Sequence, residues 1–172
     1  QYNLGEAYQL GSGVDQNSKE AFKWFKLAAE QRLAPAQAVL GYLYREGLGV
    51  TQDNKKAFKW FLLAAEQENG VAQNAVGNLY ENGDGVPQDY KEAVKWYNLA
   101  AKQENVTAQY NLGIMYRYGR GVQIDHKEAA KWLQLAAEQG EADAQLELGK
   151  AYFKGQGVPQ DLTEAFKWTK LA

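Results

Sequence analysis

The sequence predicts an all-α solenoid of helix–turn–helix repeats with a 36-residue period, and three observations carry that reading. All five tryptophans, Trp24, Trp60, Trp96, Trp132 and Trp168, keep the step without a slip. Gly13, Gly49, Gly85, Gly121 and Gly157 keep it ahead of them, and Leu27, Leu63, Leu99, Leu135 and Leu171 keep it behind. Within each period the apolar residues fall at helical spacing. A unit this short cannot bury its own apolar face, so it stacks on its neighbours and no single central core forms.

The elements follow in order from one unit. Ala36, Leu40, Leu43 and Tyr44 predict a first helix over about 35–46, closed by Gly47 and Gly49, where positive φ costs glycine little. Asp53 then matches Asp89, Asp125 and Asp161, with Asn17 in the first unit. Three residues on stand Glu20, Lys56, Glu92, Glu128 and Glu164. Asp-x-x-Glu ahead of an apolar run predicts a capping box, in which the Asp accepts an orphan N–H and the Glu reaches back. A second helix over about 54–67 then carries Ala57, Trp60, Phe61 and Ala64 on one stripe. Lys59 and its equivalents Lys23, Lys95, Lys131 and Lys167 face away, as a solvated surface. Gly5, Gly41, Gly77, Gly113 and Gly149 recur inside the first helix, each costing about 1 kcal/mol against alanine. A cost repeated at one phase predicts that another helix packs against that backbone.

Extending the period divides the chain into 1–33 (partial), 34–69, 70–105, 106–141 and 142–172 (partial), one continuous array. Gln1 is in phase with Gln37, inside a helix, and Ala172 with Ala28, part-way down one. Neither end carries the polar cap with which solenoids close. The phase of both ends therefore predicts a piece of a longer protein.

Composition narrows the function. An apolar share of 45% is ample for burial. A net charge of −2 and pI near 5.5 argue against nucleic acid, which requires a basic face. No apolar run approaches the roughly 20 residues of a membrane span. The absence of cysteine removes disulfides, thiolate metal sites and cysteine nucleophiles, and leaves the compartment open.

The pattern Ala-Gln-x-x-Leu-Gly-x-x-Tyr, then Gly-x-Gly-Val-x-x-Asp, then Lys-x-Ala-x-Lys-Trp-x-x-x-Ala-Ala resembles the Sel-one-like repeat family, a cousin of the tetratricopeptide repeats. The third unit shows it nearly whole in Leu79, Tyr80, Gly83, Gly85, Val86, Asp89, Ala93, Trp96, Ala100 and Ala101. The resemblance covers essentially the entire chain. It implies a right-handed α–α superhelix whose members act as adaptors in protein complexes, with no shared ligand. One departure stands out. The glycine usual after the second helix is present as Gly140, but Arg32, Glu68 and Glu104 replace it elsewhere, which predicts a less sharply defined exit.

If recurring positions build the scaffold, changing positions are free to carry function. On the first helix these are the places of Ala38, Tyr42, Arg45 and Glu46, at about 0°, 40°, −20° and 80° around the axis. Leu40, Leu43 and Tyr44 fall at about 200°, 140° and 240°, so the variable set faces away from the buried one. In tetratricopeptide-like superhelices that stripe lines the concave groove. Across the central units it holds Tyr42, Arg45, Asn74, Asn78, Tyr110, Ile114, Arg117 and Tyr118, a composition close to that of binding hot spots. Asn74 and Asn78 lie one turn apart, and a carboxamide both donates to and accepts from a peptide bond. Tyr110 and Ile114, as exposed apolar groups, suggest a partner. Arg117, Arg120 and the nearby tyrosines make the fourth unit locally cationic, which favours an acidic ligand segment, while Glu81 and Glu147 nearby mix the charge and oppose it.

Chemistry is absent from the pattern. His126 is the one histidine, read as an exposed first-turn residue. Ser12 and Ser18 are about three repeats away from it, which excludes a Ser-His pair. No metal ligand set or cofactor motif is present; the Gly-x-Gly-Val turns lack the lysine and hydroxyl of a phosphate loop. Glu141 and Asp143 lie in a polar turn. The sequence therefore reads as a non-catalytic scaffold gripping a protein or peptide. The alternative is a groove that binds a glycan or muropeptide on Tyr42, Tyr110 and Tyr118, and a third role is end-to-end self-association through the open ends.

Overall fold

A computed structural model describes residues 1–172 and contains ten helices and no strand. The chain folds as two compact units, Gln1–Gln88 and Asp89–Ala172. The first holds α1 (Tyr2–Leu10), α2 (Ser18–Glu30), α3 (Ala34–Glu46), α4 (Asn54–Ala65) and α5 (Gly70–Asn82). The second holds α6 (Tyr90–Lys102), α7 (Val106–Tyr118), α8 (His126–Glu138), α9 (Ala142–Lys154) and α10 (Leu162–Leu171). Within each unit the helices pack principally on their neighbours in the chain, as a stacked repeat requires.

Each second helix begins at an Asp or Asn cap. Asn17, Asp89, Asp125 and Asp161 each accept two backbone N–H groups of the first turn, and Asp53 accepts that of Lys56 at 3.0 Å. The reciprocal half of the expected capping box does not form. The N–H groups of Asn17, Asp53, Asp125 and Asp161 donate instead to the carbonyls of Tyr8, Tyr44, Tyr116 and Tyr152, at 2.9, 2.9, 3.0 and 3.1 Å. The glycine turn folds the chain back so that the last carbonyls of the first helix lie closer to the cap than the glutamate does. Glu20, Glu92, Glu128 and Glu164 are thereby released to pair with Lys23, Lys95, Lys131 and Lys167 on the solvated face.

The helix glycines have the reason that their phase predicts. A Cβ on Gly41 would come within 2.8 Å of the Phe61 ring, and one on Gly113 within 2.8 Å of the Leu133 side chain. Phe25, Phe61, Tyr97 and Leu133, each one residue past a tryptophan, are fully buried, and the tryptophans themselves are half-buried. The second glycine of the turn meets a different wall. A Cβ on Gly49, Gly121 or Gly157 would overlap the carbonyl of Ser18, Tyr90 or His126, at the start of the preceding repeat's second helix. Gly13, which has no such neighbour, meets nothing within 4 Å.

The exit from the second helices is as sharp without glycine as with it, contrary to the expectation from the missing glycines. Arg32, Glu68 and Glu104 take left-handed conformations at φ 64°, 62° and 60°, beside 89° for Gly140. Their N–H groups donate to Ala29, Ala65 and Ala101, as that of Gly140 does to Ala137. The stacking on either side dictates the turn, and the side chain bears the strain.

One polar row is sealed inside. Gln37, Gln73, Gln109 and Gln145 are buried, and each Nε2 donates to an alanine carbonyl at the end of the preceding helix: Ala29, Ala65, Ala101 and Ala137. Gln37 and Gln109 also accept from Gln67 and Gln139, at 2.7 and 2.8 Å. These buried, hydrogen-bonded carboxamides join the exit of one repeat to the entry of the next.

Candidate functional site

Four of the eight residues singled out by sequence variability converge in the first unit. Tyr42, Arg45, Asn74 and Asn78 line one cleft of about 510 Å³ together with Gln9, Ala38, Val39, Phe61, Val71 and Ala75. Helix α3 contributes positions 38, 39, 42 and 45 and helix α5 positions 71, 74, 75 and 78, each set lying on one face at helical spacing. Ala38 and Ala75 are buried and form apolar wall, Phe61 closes the base, and Tyr42 and Val71 stand 40% and 66% exposed. Val39, Val71, Ala75 and Phe61 were not expected in the site. Val71 carried a legible signal, because its place is held by Pro35, Thr107 and Asp143 in other units and so varies as the site residues do.

The charge in this cleft is Arg45. Its guanidinium lies 5.3 Å from the centre of the Tyr42 ring and 5.8 Å from that of Phe61, within reach of a cation–π attraction to both. Its Nε meets Glu46 Oε1 at 2.7 Å.

The other four residues belong to the second unit and are differently disposed. Tyr110 and Ile114 are half-buried and pack on Leu133, Ala136, Ala137, Ala144 and Leu148 with Val106, Tyr152 and Trp168. Part of their apolar surface therefore covers a neighbouring helix, and the two are less exposed than their place on the variable face suggests. Burial pushes the Tyr110 hydroxyl above its ordinary range, and the carboxylates of Asp143, Glu147 and Glu141 add to the rise.

Arg117 is turned inward. Its side chain is 10% exposed and forms an ion pair at 2.5 Å with Glu147, itself 14% exposed, while Nη1 donates to the Glu147 carbonyl at 3.2 Å. That corrects the expectation of Arg117 as part of an exposed cationic surface, since it is spent on the Glu147 carboxylate across the repeat boundary, whose other oxygen takes Lys150 at 2.7 Å. Tyr118 remains 54% exposed, with the guanidinium groups of Arg117 and Arg120 at 5.7 and 5.8 Å from its ring. His126 is half-buried rather than exposed, because Ala151 and Gln156 of the next repeat close over the start of α8.

No group of His, Asp and Glu side chains is arranged to hold a metal ion, and no helix is long and apolar enough to cross a membrane.

Against this geometry the relatives are informative. The model of the Sel1 repeat matches five times, at 1–33, 34–69, 70–105, 106–141 and 142–172. The crystal structure of c5321, described as a protective antigen present in uropathogenic Escherichia coli strains displaying an SLR fold, is 41% identical with a TM-score of 0.95. That likeness covers 98% of this chain and 37% of the E. coli protein, so the chain spans little more than a third of that relative. A Sel1 repeat protein from Oxalobacter formigenes is 37% identical at a TM-score of 0.93, over 99% of this chain and 70% of its own. The cysteine rich protein B of Helicobacter pylori is 27% identical at 0.58, over 78% of this chain and 96% of its own. Among curated proteins no sequence matches the chain. Five consecutive matches tile the whole sequence, and the chain belongs to the Sel1 repeat family, whose members generally serve as non-catalytic platforms for protein–protein interaction.

Proposed function

We propose that the chain is a non-catalytic interaction scaffold that grips a peptide or partner protein on the variable faces of its first helices. In the first unit the contact residues are Tyr42, Arg45, Asn74 and Asn78. In the second they are Tyr110, Ile114 and Tyr118, with Arg117 anchored to Glu147 and stacked on Tyr118 rather than offered to the ligand. The observation that carries this reading is the cleft, because residues chosen only for varying between repeats share one concavity with an apolar floor. Its size falls in the range of a binding pocket, roughly 300 to 1,000 Å³, and its convergent amide, phenol and guanidinium groups can orient a main chain.

The glycan reading draws less support. Stacking on a sugar needs an open ring face, and a guanidinium already covers a face of both Tyr42 and Tyr118.

A photo-crosslinking amino acid at position 78, compared with one at position 59 on the solvated face, tests the scaffold in extracts of the source cell. A discrete crosslinked protein from position 78 alone, lost on Tyr42→Ala, is the expected result. Equal labelling from both positions would overturn the proposal.

A further inference from the structure

Arg45 and Arg117 hold the same place in their repeats, two periods apart, yet their surroundings differ in one residue. The position that faces each arginine from the following repeat is Glu147 for Arg117 and Ala75 for Arg45. Glu147 neutralises Arg117 inside the packing. Ala75 supplies no charge, so the guanidinium of Arg45 is held only by Glu46 at Nε and by the rings of Tyr42 and Phe61. Its two terminal nitrogens make no hydrogen bond or ion pair within the chain. No carboxylate lines the cleft into which they face.

Building on the scaffold reading above, we propose that this cleft takes a linear acidic segment of a protein partner. An Asp or Glu carboxylate pairs with the two Nη groups of Arg45, and an adjoining aliphatic side chain enters between Val39, Val71 and Ala75. The guanidinium edge presents parallel N–H donors that match the two oxygens of a carboxylate. The rings of Tyr42 and Phe61 and the Glu46 carboxylate already restrict the side chain, so part of its freedom is given up before the carboxylate arrives. The neighbouring aliphatic wall gives the partner's apolar residue a place to go, and its docking there covers part of the pair from water. The chain as a whole carries a net charge of −2, so long-range attraction does not draw an acidic partner in. Selection for acid comes from Arg45 at short range.

Selection of short linear peptides from a displayed random library on the immobilised chain tests the proposal. The expected peptides share an Asp or Glu beside Leu, Ile or Val. A synthetic representative binds at least about tenfold more weakly to Arg45→Gln, the loss of a charge-assisted hydrogen bond. Ala75→Glu, which recreates at Arg45 the pairing that Glu147 gives Arg117, weakens binding to the same degree, with both variants retaining the parent's circular dichroism. Changing the acid of the peptide to its amide costs as much on the parent and nothing more on Arg45→Gln. Peptides that need Tyr42 and Asn78 but ignore Arg45→Gln would overturn the acidic partner while leaving the interaction surface standing. A phosphoserine version that outcompetes the carboxylate would overturn it in favour of phosphate. A library that enriches nothing over the Ala75→Glu protein would overturn both readings.

Discussion

Glycine at positions 32, 68 and 104 makes the chain more stable, although no contact is added. Arg32, Glu68 and Glu104 are exposed and sit at φ 64°, 62° and 60°, where an L side chain crowds its own carbonyl. The left-handed conformation costs such a residue about 1–2 kcal/mol. Glycine removes that cost and adds back about 0.5–1 kcal/mol of chain entropy lost on folding. The balance is about 0.5–1 kcal/mol per site. The three turns share no hydrogen-bond partner, so the triple variant gains about 2 kcal/mol if the sites add. For a chain of this size that raises the melting temperature by about 4–8 °C. Gly140→Glu makes the reverse change at the same turn, and its φ of 89° makes it the costlier position. Urea unfolding followed by far-ultraviolet circular dichroism measures all four, with equal slopes showing that the unfolded state is unchanged. A triple variant no more stable than the parent would refute the reasoning, since the side chains would then have to stabilise the turn by as much as its strain costs.

Three further outcomes follow from named contacts. Gly49→Ala and Gly13→Ala incur the same positive-φ cost, but only the first drives a methyl into the Ser18 carbonyl, so it loses about 2 kcal/mol more in urea midpoint experiments; equal losses would mean that the two repeats are not in contact there. Glu147→Ala leaves Arg117 nearly buried without its carboxylate and costs about 2 kcal/mol, below the range for a fully buried pair because a tenth of the arginine side chain is exposed; an unchanged melting curve would show the pair to be screened by water. Tyr110 ionises at higher pH folded than unfolded, so the unfolded chain loses its proton first and stability falls as pH rises through about 10. Tyr110→Phe reduces that fall, with Tyr2 supplying a residual part by the same mechanism, and an identical pH dependence of the urea midpoint in the variant would contradict it.

Much of the fold was legible because a repeat announces each structural demand several times over. A lone Gly41 in a helix is ambiguous, but glycine at that phase five times is a statement about packing, and the Phe61 and Leu133 side chains lie where it requires. The errors concern where a backbone group finds its partner. Asp125 was recognisable as a cap, but that its own N–H would choose the Tyr116 carbonyl over the Glu128 side chain depends on how tightly the glycine turn folds back. The exits at Arg32, Glu68 and Glu104 were misjudged for a related reason. Residue preference describes the isolated turn, and here the stacked helices on either side impose the conformation regardless of preference.

The candidate site residues divide along the same line. Periodicity tells which face a residue occupies, and Tyr42, Arg45, Asn74 and Asn78 do share one cleft. It does not tell what stands opposite in the next repeat, and availability depends on that neighbour. Arg45 and Arg117 are indistinguishable in phase and residue type, yet one lines an open cleft and the other is consumed by Glu147. The difference is written in the sequence thirty residues downstream of each arginine, as Ala75 against Glu147. One substitution in the adjoining unit therefore separates a nearly buried, paired arginine from one that lines an open cleft, without altering the helix that carries it. Binding chemistry in such a chain is a property of adjacent pairs of repeats, and variability has to be read two units at a time.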